Sequence, residues 1–160
     1  MSLVRVTDAL EQCRRHIEAA GVPDPQIEAI LTAYVSAVAY AGFEAEVRSI
    51  VSLRAHSARQ DDREIAFGQY AAVRLVRSIR VSDLTGLAAA FHPDCRDAFR
   101  ARLNPEEQSA WDSIINNRHG LAHEERDPSS RISNLTFAEL EDLYPRALNV
   151  LDVFRQALFS

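Results

Sequence analysis

At 160 residues, 47% hydrophobic and 26% charged, the chain has the size of one domain and enough apolar material for a single core, which argues against disorder. A formal net charge of −5 argues against a protein whose whole surface grips nucleic acid, while leaving room for a local basic cleft. All 18 basic residues are arginine, so lysine nucleophiles, Schiff bases and the lysine of a phosphate-binding P-loop are excluded as well.

The opening MSLVRVTDALEQCRRH holds no uninterrupted apolar run of the signal-peptide kind, and no later segment approaches the roughly 18 apolar residues of a membrane span. The expected location is cytoplasmic, with no membrane partner. Cys13 and Cys95 are widely separated and lack neighbours at metal-ligand spacing, so neither a disulfide framework nor a zinc knuckle is indicated.

Helical periodicity dominates from the start. A first helix is expected after Thr7 as N-cap, with Leu10, Cys13, Ile17 and Ala20 on one face and Gly21 as its stop. Asp24 and Pro25 open a second, whose apolar set Ile27, Ile30, Leu31, Tyr34, Val38, Ala45 and Val47 can be followed to Leu53. Gly42 is expected either to bend it or to admit a close neighbour. Asp61 and Asp62 restart helix as far as Ile79, Ser82 caps a shorter one through Phe91, and Pro93 begins another carrying Cys95, Phe99 and Leu103.

Asn104-Pro105-Glu106-Glu107 combines a cap, a first-turn proline and acids at the positive end of the helix dipole. The stretch from Glu124 to Asn134 reads as a loop. Thr136 to Glu139 forms a capping box for a last helix that buries Phe137, Leu140, Leu143, Leu148, Leu151 and Phe154, with Pro145 expected to kink or divide it. The expected architecture is all-α: one bundle over residues 1–160 in which the second and last helices clasp the helix that starts at Pro105.

That helix ends in Ile114-Ile115-Asn116-Asn117-Arg118-His119-Gly120-Leu121-Ala122-His123. At about 100° per residue, Arg118 falls in the middle of the arc shared by Ile114, Ile115, Leu121 and Ala122. A permanent cation among apolar residues needs a carboxylate, a set of carbonyls or an anionic ligand. Two histidines follow within five residues, which points to phosphate handling.

Arg118, four intervening residues and His123, with His119 directly after the arginine, resemble the Arg-x4-6-His motif of the HEPN superfamily. The long early helix running into Phe43-Glu44 and the late motif helix fit the RiboL-PSP and related bacterial branches, over roughly Ile27 to Phe154. The resemblance implies a homodimer whose two motifs meet across a cleft. It would act as a metal-independent endoribonuclease without cofactor, often as the toxin of a toxin–antitoxin or defence system. RNA would be the substrate and a cognate antitoxin protein a candidate partner.

Carried over, His123 would be the acid/base group and Arg118 the phosphate clamp. His119, Asn117 and Asn116 would be supporting, RNA-contacting residues, and Glu44 a candidate charge partner of Arg118. Five residues of continuous helix separate Arg118 and His123 by about 140°. Either the helix loosens near Gly120, or two chains share the work.

Plainer readings compete with these. In the plainer ones, Arg118 is only one half of a partly buried pair with Glu44, Glu46 or a helix-end carbonyl, and His123 only a surface or capping histidine favoured near a helix C-terminus. His119 and His123 have zinc-compatible spacing, but Gly120 occupies the glutamate position of His-Glu-x-x-His and no third ligand is evident, so no metal is assigned. Arg74, Arg77 and Arg80, and Arg96, Arg100 and Arg102, read as solvated faces, with tracking of an RNA backbone as the alternative; His16, His56 and His92 are given no partner or role, and Trp111 reads as core. The rival functional reading is a non-catalytic HEPN module that binds RNA, nucleotide or a protein partner.

Overall fold

A computed structural model describes residues 2–21, 24–57, 76, 78–123 and 135–159; for residue 2 and residues 118–123 it describes only the helical backbone. Among these residues there are six helices and no strand: α1 (Ser2–Ala19), α2 (Pro25–Ser57), α3 (Val81–Phe91), α4 (Pro93–Arg102), α5 (Pro105–His123) and α6 (Phe137–Phe159). The all-α bundle read from periodicity is the fold. None of these helices is long and apolar enough to cross a membrane.

Most boundaries follow local chemistry. Gly21 ends α1 with a φ of 69°, in the left-handed region where a side chain would be strained. Asp24 caps α2 through its Oδ1, which accepts from the Gln26 N–H at 2.9 Å. Two bonds close the start of α5, the Asn104 side chain accepting from Glu106 N–H and the Glu107 carboxylate accepting from Asn104 N–H. Thr136 and Glu139 cap α6 reciprocally, the Thr136 hydroxyl accepting from Glu139 N–H and the Glu139 carboxylate accepting from Thr136 N–H. The Thr136 N–H and the Thr136 hydroxyl both donate to the Glu139 carboxylate, and these two bonds hold it below its usual range.

Two starts differ from expectation, and a third, at Pro93, falls where expected. Thr7 is not a cap: α1 is already formed at Ser2, and the Thr7 hydroxyl donates back to Leu3 C=O from inside the helix. The helix expected at Ser82 begins one residue earlier, its Val81 N–H donating to the Asp112 carboxylate of α5 rather than to a local cap. His92 takes a role of its own, its Nδ1 accepting from Asp94 N–H at the head of α4. Pro145 does not divide α6, which runs unbroken from Phe137 to Phe159. The expected helix from Asp61 lies mostly outside the described residues; Val76, Ser78 and Ile79 are not helical, although Val76 and Ile79 are buried as expected.

As expected, α5 packs against both α2 and α6, and those two also pack against each other. The three meet in an aromatic stack: Phe43 lies on Trp111 at 4.5 Å between ring centroids and on Tyr144 at 5.9 Å. Trp111, fully buried, donates its indole N–H to Ile79 C=O at 2.6 Å. Below the stack Phe99 of α4 meets Phe154 of α6 edge-on.

The phase of α2 is the main correction. It buries Val35, Ala39, Phe43, Val47 and Ile50, while Ile27, Ile30 and Tyr34, expected in the core, are 45%, 67% and 56% exposed. The helix is apolar on nearly all sides, so periodicity alone does not say which side faces inward.

Two outcomes test this picture. Trp111→Ala removes the centre of the stack and one buried hydrogen bond, and is expected to cost about 3–5 kcal/mol in denaturant unfolding. Because the Glu139 carboxyl is lowered on folding, its stabilisation is complete above the ordinary carboxylate range and lost as pH falls through the lowered value. Glu139→Gln should therefore flatten that part of the acid unfolding curve.

Candidate functional site

Two contacts fix how α5 runs along α2. Phe43 meets Trp111, and Ser36, seven residues earlier, accepts a 2.8 Å hydrogen bond from the Asn117 side chain, six residues later. The helices are therefore antiparallel. Position 118 stands level with about residue 35 of α2, and position 123 with about residue 30.

The core changes character along this contact. At one end it is aromatic. At the other stand Thr32, Ser36 and Asn117, the three buried polar side chains among the described residues, at 0%, 0% and 4% exposure. Each has a partner where the interior would penalise a lone dipole: Asn117 donates to Ser36, and the Thr32 hydroxyl donates to Glu28 C=O at 2.8 Å. The polar patch lies directly before the Arg-x4-His segment.

The backbone of α5 is helical through His123, so the helix does not open at Gly120. Position 118 consequently stays on the arc that carries Trp111, Ile114 and Ile115, all fully buried, and position 123 stays about 140° away on the arc of exposed Asn116. The side chains of Arg118, His119 and His123 lie outside the described residues. Of the supporting residues, Asn117 is built into the α2 contact, whereas Asn116 lines a shallow open depression with Ser109, Asp112 and Ser113.

Glu44 pairs with Arg48 at 2.7 Å, one turn further from the motif. It stands level with about position 109, roughly nine residues or about 13 Å along the axis from position 118. Glu46 pairs with Arg155 of α6 at 2.5 Å. Both acids named as partners for Arg118 are thus engaged by other arginines. Arg96 pairs with Asp97, which lowers the Asp97 carboxyl.

Ser36 and Thr32 were not among the residues read from the sequence. Their signal was present, two small hydroxyls four residues apart in the longest helix, but neither belongs to the apolar set followed along it. Among the described residues no group of three His, Cys, Asp or Glu side chains is placed to hold a metal ion. Comparisons with family models, curated proteins and solved structures find no match.

The Asn117–Ser36 bond carries a measurable expectation. Asn117→Ala and Ser36→Ala should each cost about 1–3 kcal/mol in thermal or denaturant unfolding, because each strands a buried polar partner. The double variant should cost less than the sum of the two, the mark of a direct interaction.

Proposed function

We propose that the chain is a metal-independent endoribonuclease of the HEPN type, acting as a homodimer, and that it serves as the toxin of a toxin–antitoxin or defence system. The observation that carries this reading is the unbroken course of α5 through His123. It keeps an arginine position on the buried arc and a histidine position on the open arc of the same helix end, beside the Thr32, Ser36 and Asn117 patch.

The chemistry follows from the residue types. The ribose 2′-hydroxyl attacks the adjacent phosphorus while an imidazole takes its proton. The bond to the 5′-oxygen breaks, and that oxygen leaves with a proton from a second acid. The products are a 2′,3′-cyclic phosphate and a free 5′-hydroxyl. His123 serves as base or acid, since an unperturbed imidazole titrates near pH 6.5 and exchanges protons readily around neutrality. Arg118 stabilises the charge that builds on the phosphate oxygens, which requires a cation that cannot be neutralised.

The angular separation of positions 118 and 123 supports a shared site. One straight helix does not set both residues on one phosphate, whereas two copies related by a two-fold axis provide two imidazoles and two guanidinium groups around a common cleft.

Purified protein incubated with RNA in excess chelator should release fragments ending in cyclic phosphate. His123→Ala should slow cleavage by about 100-fold to 10,000-fold with little change in melting temperature, and should relieve growth arrest on expression. Cleavage unaffected by this substitution rules out the assigned role of His123, and an absence of cleavage by the native chain rules out the nuclease.

A further inference from the structure

The outward side of α2 is an apolar row that nothing in the described structure covers. It begins with three bulky residues, Ile27, Ile30 and Tyr34, each at least 45% exposed. It continues through small ones, Ala37, Ala41 and Ala45, all exposed. The row spans 18 residue steps, or about 27 Å, and carries no charged residue. Exposed apolar surface of this length and continuity on a globular domain marks a contact site.

The two halves of the row differ in shape. Alongside the small half, α1 and α2 enclose a groove of about 680 Å³ floored by Ala9, Val38 and Gly42. Its rim holds one cation and one anion, Arg5 and Asp8, neither in an ion pair with a described residue. Beyond the ends of the row stand opposite charges, Asp24 at the head of α2 and Arg48 after Ala45.

We propose that this face binds a second copy of the chain, α2 lying antiparallel on α2 about a two-fold axis near residue 36. In that register Ile30 meets the partner's Ala41, Tyr34 meets the partner's Val38, and Ile27 meets the partner's Ala45. Each bulky half fills the other copy's small-residue groove. The same register brings Arg48, itself paired with Glu44 of its own helix, level with the partner's Asp24, twice over, because an isologous contact repeats every pairing. With α1 widening the footprint to about 20 Å, both copies together bury on the order of 1,100 Å², at the lower edge of stable interfaces.

The contact is independent of the nuclease reading. It lies on the side of α2 turned away from Ser36, and therefore away from α5, so it does not bring the two motif segments together. An enzyme that pairs through its motif ends carries this as a second two-fold contact.

Mass measurement by light scattering or sedimentation at about 100 µM should show an assembly whose mass is halved by Ile30→Glu or by Tyr34→Glu. Association should weaken roughly 100-fold or more, with the helical circular dichroism unchanged. Any RNA cleavage should also survive these substitutions, so loss of the interface and loss of the nuclease are separable. Orientation is read by oxidative crosslinking: Ala37→Cys, near the axis, should give a covalent dimer, and Ala45→Cys, about 27 Å from its own copy, should not. A native chain that is monomeric, or a mass indifferent to both glutamate substitutions, overturns the interface. Equal crosslinking at residues 37 and 45 overturns the antiparallel register.

Discussion

The stack of Phe43 between Trp111 and Tyr144 is the constraint from which the rest of the bundle takes its positions. Aromatic rings in offset contact fix both separation and orientation more narrowly than aliphatic side chains do. Here three rings come from three helices. They hold α2, α5 and α6 at one level, and the antiparallel run of α5 on α2 follows from that level together with the Asn117–Ser36 bond. The position of the Arg-x4-His segment along α2 is therefore settled two turns before the segment begins.

Sequence reasoning succeeded where one residue type does one local job. Gly21, Asp24, Asn104 and Thr136 mark helix ends because their backbone freedom or side-chain oxygens satisfy groups that the helix leaves open. The placement of Trp111 in the core, and of α5 against both α2 and α6, followed from apolar arcs with clear polar opposites. The method failed on α2 for a physical reason. A helix with Phe43, Val47 and Ile50 on one side and Ile27, Ile30 and Tyr34 on another has no single apolar direction, and only its neighbours decide which side they bury.

That misreading also hid part of the candidate site. The apolar set followed along α2 passed over Ser36 and Thr32, which the structure buries. Glu44 was singled out for its place after Phe43, yet sequence distance does not reveal register between helices. The structure gives Glu44 to Arg48, one turn along its own helix. What remained legible was the oddity of an arginine on an apolar arc, because that depends only on neighbours within the same helix.

Two neighbouring residues of α5 hold the same short connection in opposite senses. The Trp111 indole gives a hydrogen to Ile79 C=O, and the Asp112 carboxylate receives one from Val81 N–H. Greasy contacts alone let a cylinder roll by some tens of degrees at small cost, since one methyl group replaces another. A donor and an acceptor gripping a single stretch of main chain forbid that roll. The motif helix is thus keyed in azimuth like a shaft in a slotted collar, and any movement that turned its far end would have to drag the entry to α3 with it.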